Sequence, residues 1–201
     1  MAIDEILLSS ARTAILRFYG WNEPAISFGY FVPFAEARIA AGAERALVRR
    51  WTGGGIVPHG KDLTYSIMIG SNDDTFSLPS KTIYQRVHSA LSSALREIGI
   101  ASVLREANEL KLSEACFANP VVSDVMENGK KIAGAAQRKT RIGLLHQGSI
   151  QRQNLPREFR HIFGRLLANS LIFTDIRSAV LDNAEKVAVG KYGTQEWLKR
   201  R

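Results

Sequence analysis

The segment Arg49-Arg50-Trp51-Thr52-Gly53-Gly54-Gly55 sets two guanidinium groups beside three consecutive glycines. Such glycines let the backbone turn sharply and let a ligand approach its N–H groups. The arginines supply donors for a carboxylate, a phosphate or a carbonyl oxygen. A glycine-rich turn between two strands has the same composition, so both readings stand on the residues alone. It is not a nucleotide-binding loop of the usual kinds, since no Gly-Lys-Ser/Thr ends it and it does not read G-x-G-x-x-G. His59 follows four residues after Gly55 and can donate to a ligand or hold the loop in shape. Lys131 precedes Ile132-Ala133-Gly134-Ala135-Ala136-Gln137, whose small residues would leave one side of a strand open to a ligand. An amine pointed into that space polarises a carbonyl or favours a thiolate, whereas two lysines beside a turn are otherwise ordinary solvated surface. Cys116 is the single cysteine. It is a nucleophile if a neighbouring cation lowers its pKa and an inert packed residue if none does. His88, His146 and His161 lie too far apart for common metal spacings, so no metal site is expected.

The elements that must position these groups are legible in the periodicity. Ala2 to Arg12 reads as a helix, and Ala14 to Tyr19 and Ala25 to Phe31 as strands separated by the turn Asn22-Glu23-Pro24. Ala35 to Ala41 reads as a short helix, and Ala46 to Arg50 and Leu63 to Ile69 as strands, the latter alternating Thr64 and Ser66 with Tyr65 and Ile67. Pro79-Ser80 opens the clearest helix, with Ile83, Val87, Ala90, Leu91, Ala94, Leu95 and Ile98 at helical spacing and Gly99 as its stop. Ala101 to Glu106 reads as a strand. Asn128-Gly129 predicts a two-residue hairpin pairing Val121–Met126 with Lys131–Gln137, with Gly143 to Ile150 as the next strand. A helix begins at Pro156, Leu171 to Ile176 reads as extended, and helical pieces broken at Gly190 and Gly193 follow Ser178. The class is α+β, a mixed, largely antiparallel sheet flanked by helices.

Composition excludes several classes. The chain has 201 residues, 45% hydrophobic and 23% charged, enough for one substantial core. No apolar run approaches the roughly 18 residues of a membrane span, and Met1 to Leu8 carries Asp4 and Glu5 in place of a basic leader. One cysteine permits no intrachain disulfide, and a cytoplasmic setting is expected. The net charge of +8, from 27 basic and 19 acidic residues, suits an acidic partner or a phosphate-bearing substrate. Its scatter, without a basic helix or aromatic–basic interleaving, predicts no specific nucleic-acid site.

Taken together, the run from Arg49 through Thr52, Gly53, Gly54, Gly55 and His59 to Asp62-Leu63-Thr64-Tyr65-Ser66 resembles the signature of the lipoate–protein ligase A and octanoyltransferase superfamily, which also includes biotin protein ligase. Lys131 to Gln137 is similar to its second motif and Gly143 to Ile150, with Gly148-Ser149, to its third. Met1 to Leu8 and Leu16 to Trp21 resemble the family's opening, so the likeness spans roughly residues 1 to 175 in order.

The resemblance implies that family's fold, with an acyl chain in a tunnel beside Gly53–Gly55. It implies a catalytic domain over 1–176 with 177–201 as a helical tail packed on it. It makes Lys131 the contact of the acyl carbonyl, places His59 in the pocket wall, and gives Arg49, Arg50, Thr52, Gly134, Ala135, Gly148 and Ser149 substrate-binding places. The acceptor it implies is the lysine of a lipoyl domain, from a 2-oxoacid dehydrogenase or the glycine cleavage H protein. Within the superfamily, Ala115-Cys116-Phe117-Ala118-Asn119-Pro120 resembles the segment holding the nucleophilic cysteine of ligase-like octanoyltransferases. Those take octanoyl from acyl carrier protein as a thioester and need no cofactor. Lipoate ligases instead use ATP and magnesium through lipoyl-AMP, some with a separate accessory chain. Their pattern continues differently after the histidine than His59-Gly60-Lys61-Asp62 does, and little follows Ile176 to build their additional domain. The third motif reads Leu145-His146-Gln147-Gly148, with His and Gln exchanged relative to the octanoyltransferase pattern. The cysteine-dependent octanoyltransferase is the favoured expectation, the ATP-dependent ligase or a related amidotransferase the alternative. A catalytically idle acyl- or nucleic-acid-binding module is the reading outside both.

Overall fold

The computed structural model describes residues 1–106 and 121–200. Cys116 and the 115–120 segment around it lie outside the described residues.

Among the described residues the chain forms two sheets. The large one has six strands in the order β1 (Ile15–Tyr19), β5 (Leu63–Gly70), β9 (Gly143–Ile150), β8 (Lys130–Thr140), β7 (Val125–Glu127) and β6 (Ser102–Leu104), every neighbour antiparallel. The small one runs β3 (Ala46–Arg49), β2 (Ala25–Phe28), β4 (Ile56–His59), with β2 parallel to β3 and antiparallel to β4. The mixed character expected of the sheet therefore resides in the small one. The sequence reading missed β4, because Gly53–Gly55 reads as a turn and Pro58 interrupts the strand signal. Pro58 is tolerated because β4 is an edge strand, paired among the described residues with β2 alone.

The long helix α3 (Ser80–Glu97) buries Ile83, Val87, Leu91 and Leu95 against one face of the large sheet. It ends in a Schellman motif: Gly99 has φ +82°, its N–H reaches Arg96 O, and the Ile100 N–H reaches Leu95 O at 2.9 Å. Phe159 and Phe163 of α4 (Glu158–Leu167) join the same core with Tyr65, Ile67 and Leu144. On the other face α1 (Ala2–Ser10) packs Leu8 against Met68 and Leu145. The central strand β9 is consequently buried at all eight positions, and β5 at all but Leu63. The alternation of Thr64 and Ser66 with Tyr65 and Ile67 does not separate water from core. It separates a buried polar interior from a buried apolar one.

Asn128 and Gly129, at φ +49° and +74°, make the predicted hairpin turn. Strand β7 begins at Val125 and not at Val121. Asp124 turns the preceding residues on themselves, accepting the Val121 N–H at 2.7 Å, with Ser123 at φ +70°. After α4 no strand forms over residues 171–176; Ile172 and Phe173 lie exposed. Helix α5 (Ser178–Val187) packs on α1, and Gly190 sits within a π turn over Ala188–Tyr192, so the helical path breaks only at Gly193. In α6 (Gln195–Leu198) the buried Trp197 donates its indole N–H to Arg49 O at 3.1 Å. No described helix is long and apolar enough to cross a membrane.

Candidate active site

The site lies where the small sheet leans on β8 and β9. Between Val125/Met126 and their partners Ala133 and Lys131, the β7–β8 register shifts, leaving Ile132 as an extra residue on β8. In a regular strand residues three apart point to opposite faces. The bulge resets that alternation, and Lys131 comes to cover Gly134: a Cβ there would meet the Lys131 Nζ at 2.7 Å. Gly134 is thus the space the lysine lies in.

Lys131 is held as well as placed. Its Nζ pairs with Asp124 Oδ2 at 2.8 Å, the lysine side chain 4% exposed and the carboxylate fully buried. Asp124 also accepts the Tyr84 hydroxyl of α3 at 2.5 Å, and Tyr84 in turn accepts the Ala135 N–H at 3.1 Å. Burial and the facing Asp124 push the Tyr84 phenol far up, so it stays protonated and donates. Helix, turn and strand are locked together at the amine.

The slot beside this amine has about 440 Å³ of space between its walls, including its open mouth. Lys131, Gly134, Ala135 and Ala136 form one wall, and Gln147, Gly148 and Ser149 of β9 continue it. Opposite stand Ser27, Val57 and His59 of the small sheet with Arg50; Tyr19, Trp21 and Thr64 close the side. Trp21 stacks on the His59 ring at 4.1 Å and 18° and donates its indole N–H to Thr64 Oγ1 at 2.9 Å. His59 Nδ1 lies 2.8 Å from Asp62 Oδ2, and its Nε2 lies 2.6 Å from Ser27 Oγ.

The glycine loop is one residue removed from the slot. Gly54, at φ +78°, has Ala136 Cβ 3.1 Å and Arg50 Nη2 3.3 Å from where its own Cβ would stand. The triple glycine and the lysine thus meet across β8, with Ala136 between. Arg50 Nη2 binds the Gly53 and Gly55 carbonyls at 2.9 and 2.8 Å, and its Nη1 donates to Ser27 Oγ at 2.8 Å. Arg49 points the other way, its guanidinium donating to the carbonyls of Tyr30, Val32 and Leu198. Thr52 bonds Gln147 Oε1 at 2.8 Å, and Gln147 Nε2 bonds the buried Asp4. Of the sequence-derived site residues, Arg50, His59, Lys131, Gly134, Ala135, Gly148 and Ser149 therefore line the slot; Arg49, Thr52 and Gly53–Gly55 form the frame behind it.

Gly29 makes that frame possible. A Cβ on it would fall 1.9 Å from Gly54 O and 2.7 Å from Gly53 O. Gly29→Ala should destabilise the fold by about 1–3 kcal/mol, since backbone must move. Gly20→Ala, whose Cβ would meet no described atom within 4 Å, should leave the urea midpoint unchanged. Equal midpoints for the two variants would refute the close packing.

Sequence reasoning missed Asp124, Tyr84, Ser27, Trp21 and Gln147. Asp124 and Lys131 flank the Asn128-Gly129 turn, so the hairpin itself could have paired them. Nothing local marks Tyr84, which arrives on a distant helix. The His/Gln exchange in the third motif has a plain outcome here. Gln147 faces the slot, while His146 turns to the core beside Tyr65 at 3.3 Å and Gln137 at 3.0 Å. Among the described residues no three His, Cys, Asp or Glu side chains come together in a way that would hold a metal.

Residues 1–170 match the profile of the lipoyl protein ligase A/B catalytic domain. The octanoyltransferase LipM of Moorella thermoacetica is 31% identical across an alignment of 254 positions, covering 100% of this chain and 93% of that protein. Its counterparts from Oceanobacillus iheyensis and Symbiobacterium thermophilum are each 35% identical over 75% of this chain. The chain spans only 58% and 59% of their length. Among solved structures, lipoate-protein ligase A bound with ATP superposes with a TM-score of 0.77 at 22% identity, covering 98% of this chain and 92% of that one. A chain from the structural analysis of a bipartite lipoate protein ligase and its E2 lipoyl domain from Thermoplasma acidophilum gives 0.70 at 20%, covering 98% and 89%.

Proposed function

The chain belongs to the lipoyl protein ligase A/B catalytic-domain family, and from that membership we propose that it is an acyltransferase that moves an octanoyl group onto the acceptor lysine of a lipoyl domain. The observation that carries the reading is the Lys131 ammonium, fixed by Asp124 over Gly134 in a narrow slot with small-residue walls. An acyl chain lying along Ala135 and Ala136 presents its carbonyl to that ammonium, which stabilises the negative charge that develops on the carbonyl oxygen during attack.

Octanoyl-acyl carrier protein is the donor we favour, with Cys116 carrying the acyl group as a thioester and no nucleotide required. The curated relatives named as octanoyltransferases support this branch. So does the arginine pair: both guanidinium groups are engaged by backbone carbonyls and Ser27, and a nucleotide phosphate would have to displace those bonds. The ATP-dependent ligase reading has in its favour the likeness in fold to an ATP-bound ligase. In the same proposal, 1–176 forms the catalytic unit and 177–201 a tail that braces it through Trp197. The +8 charge assists docking of an acidic lipoyl domain.

The test is a mass-spectrometric transfer assay to a lipoyl domain, run once with octanoyl-acyl carrier protein and once with lipoate, ATP and magnesium. An octanoylated acceptor in the first arm supports the proposal. Acceptor modified in the second arm alone assigns ligase chemistry, and silence in both refutes acyl transfer.

A further inference from the structure

Three side chains of the slot stand in an order that the proposed cysteine route does not use. Ser27 Oγ lies 2.6 Å from His59 Nε2, and His59 Nδ1 lies 2.8 Å from Asp62 Oδ2. Ser27 and His59 both line the slot, as does Lys131.

Their polarity is determined by what surrounds them. Asp62 also accepts the Thr64 and Ser149 hydroxyls at 3.1 and 2.6 Å and the Gly60 N–H at 3.1 Å. Burial opposes its ionisation, but the His59 bond and these donors outweigh burial and hold the carboxyl below its ordinary range. An ionised Asp62 keeps the proton on Nδ1, which leaves Nε2 as an acceptor. Arg50 Nη1 already donates to Ser27 Oγ at 2.8 Å, so the serine's own proton is the one directed at Nε2. Trp21 stacks on the imidazole and covers one of its faces. These are the roles of nucleophile, base and orienting carboxylate, a constellation that recurs on unrelated folds.

Resting on the acyl-transfer reading above, we propose that Ser27 is a second acyl-accepting nucleophile, activated by His59 and Asp62, which takes acyl groups from thioesters and activated esters. In the first step Ser27 Oγ bonds to the carbonyl carbon and its proton passes to His59 Nε2. The C–S bond then breaks and the thiolate leaves with that proton as a free thiol. In the second step an amine or water attacks the acyl-serine and yields its proton to His59. The C–Oγ bond breaks, and Ser27 recovers its hydrogen. Atoms and charge balance without an oxidant or reductant. An amine acceptor gives transfer, and water gives hydrolysis, so the slot also acts as a thioesterase when no acceptor is docked.

The test uses the full chain and an alkyl fluorophosphonate, with the adduct mapped by peptide mass spectrometry. The expected result is phosphonylation at Ser27, absent in Ser27→Ala and slowed about 10²-fold or more in His59→Gln. In parallel, octanoyl-N-acetylcysteamine should leave an octanoyl ester at Ser27 that resists neutral hydroxylamine, while Ser27→Cys should form a thioester that hydroxylamine cleaves. Labelling elsewhere only, or at Ser27 with a rate indifferent to His59→Gln, overturns the proposal. Transfer to a lipoyl domain with no adduct at Ser27 overturns the acyl-serine and leaves the transferase standing. A Ser27 adduct without transfer to any lipoyl domain supports the acyl-serine and refutes the transferase.

Discussion

Lys131→Ala should lower acyl transfer to a lipoyl domain by about 10²–10³-fold, the usual cost of losing one preorganised donor to a developing oxyanion. It should also weaken the fold, because Asp124 is fully buried and loses the ammonium 2.8 Å away. Removing one member of a buried ion pair costs about 3–5 kcal/mol, more than the pair itself contributes. The two effects separate in Lys131→Met combined with Asp124→Asn. Tyr84 and Val121 donate to different oxygens of Asp124, and the neutral amide of that double variant keeps an acceptor for one of them, so the urea midpoint should recover partway toward wild type while transfer stays lost. Tyr84→Phe should fall between, keeping the ion pair but depriving the Ala135 N–H of its acceptor. If Lys131→Ala transfers at the wild-type rate, the amine has no part in the chemistry. If the double variant regains transfer, Lys131 acts only through the fold.

The second large effect is on stability toward acid. His88 and His146 sit in one buried aromatic cluster with Tyr65 and Tyr84, their ring centroids 5.7 Å apart. Burial holds the His88 pKa down to about 4, against the partial help of its Nδ1 bond to Ser123 O at 2.6 Å, and its Nε2 has no hydrogen-bond partner among the described residues. Burial, then the neighbouring His88, holds His146 well below the ordinary value. The sign follows from linkage. In the unfolded chain each imidazole takes a proton near pH 6.5, and in the folded one it refuses it until lower pH. Stability is therefore full above about pH 6.5 and falls as pH drops. The His88 share levels off near pH 4, having removed about 3 kcal/mol. His146 adds in the same direction. Urea unfolding at pH 7.5, 6 and 4.5 should show this slope, and His88→Leu should flatten it. An unchanged slope in that variant would locate the acid sensitivity elsewhere.

What the sequence disclosed, and what it hid, follows physical lines. The helix at Ser80–Glu97, the hairpin at Asn128-Gly129 and the strand Gly143–Ile150 were legible because each rests on local rules: periodicity, a left-handed stop, a turn needing positive φ. The slot was legible where its lining falls on consecutive small residues, as at Gly134-Ala135 and Gly148-Ser149. It was not legible where a residue acts across the fold. Arg49 and Arg50 are neighbours of identical type, yet one holds carbonyls behind the loop and the other reaches Ser27 inside the slot. Adjacent strand residues face opposite ways, and sequence does not say which is inward. Asp4 reads as the acidic first turn of a surface helix. Instead it lies fully buried, gathering Arg17, Ser66 and Gln147, because α1 covers the polar face of the large sheet.

The extra residue Ile132 acts as a phase shifter for everything before it on its strand. Counted back from Gly134 by simple alternation, the inward lysine would be Lys130; with the shift it is Lys131, and Lys130 stays in water. Two chemically identical neighbours thereby acquire different fates. An amine-acylating reagent should consume Lys130 and spare Lys131. The strand opens with one lysine for the water and another for the slot, and one backbone irregularity decides which is which.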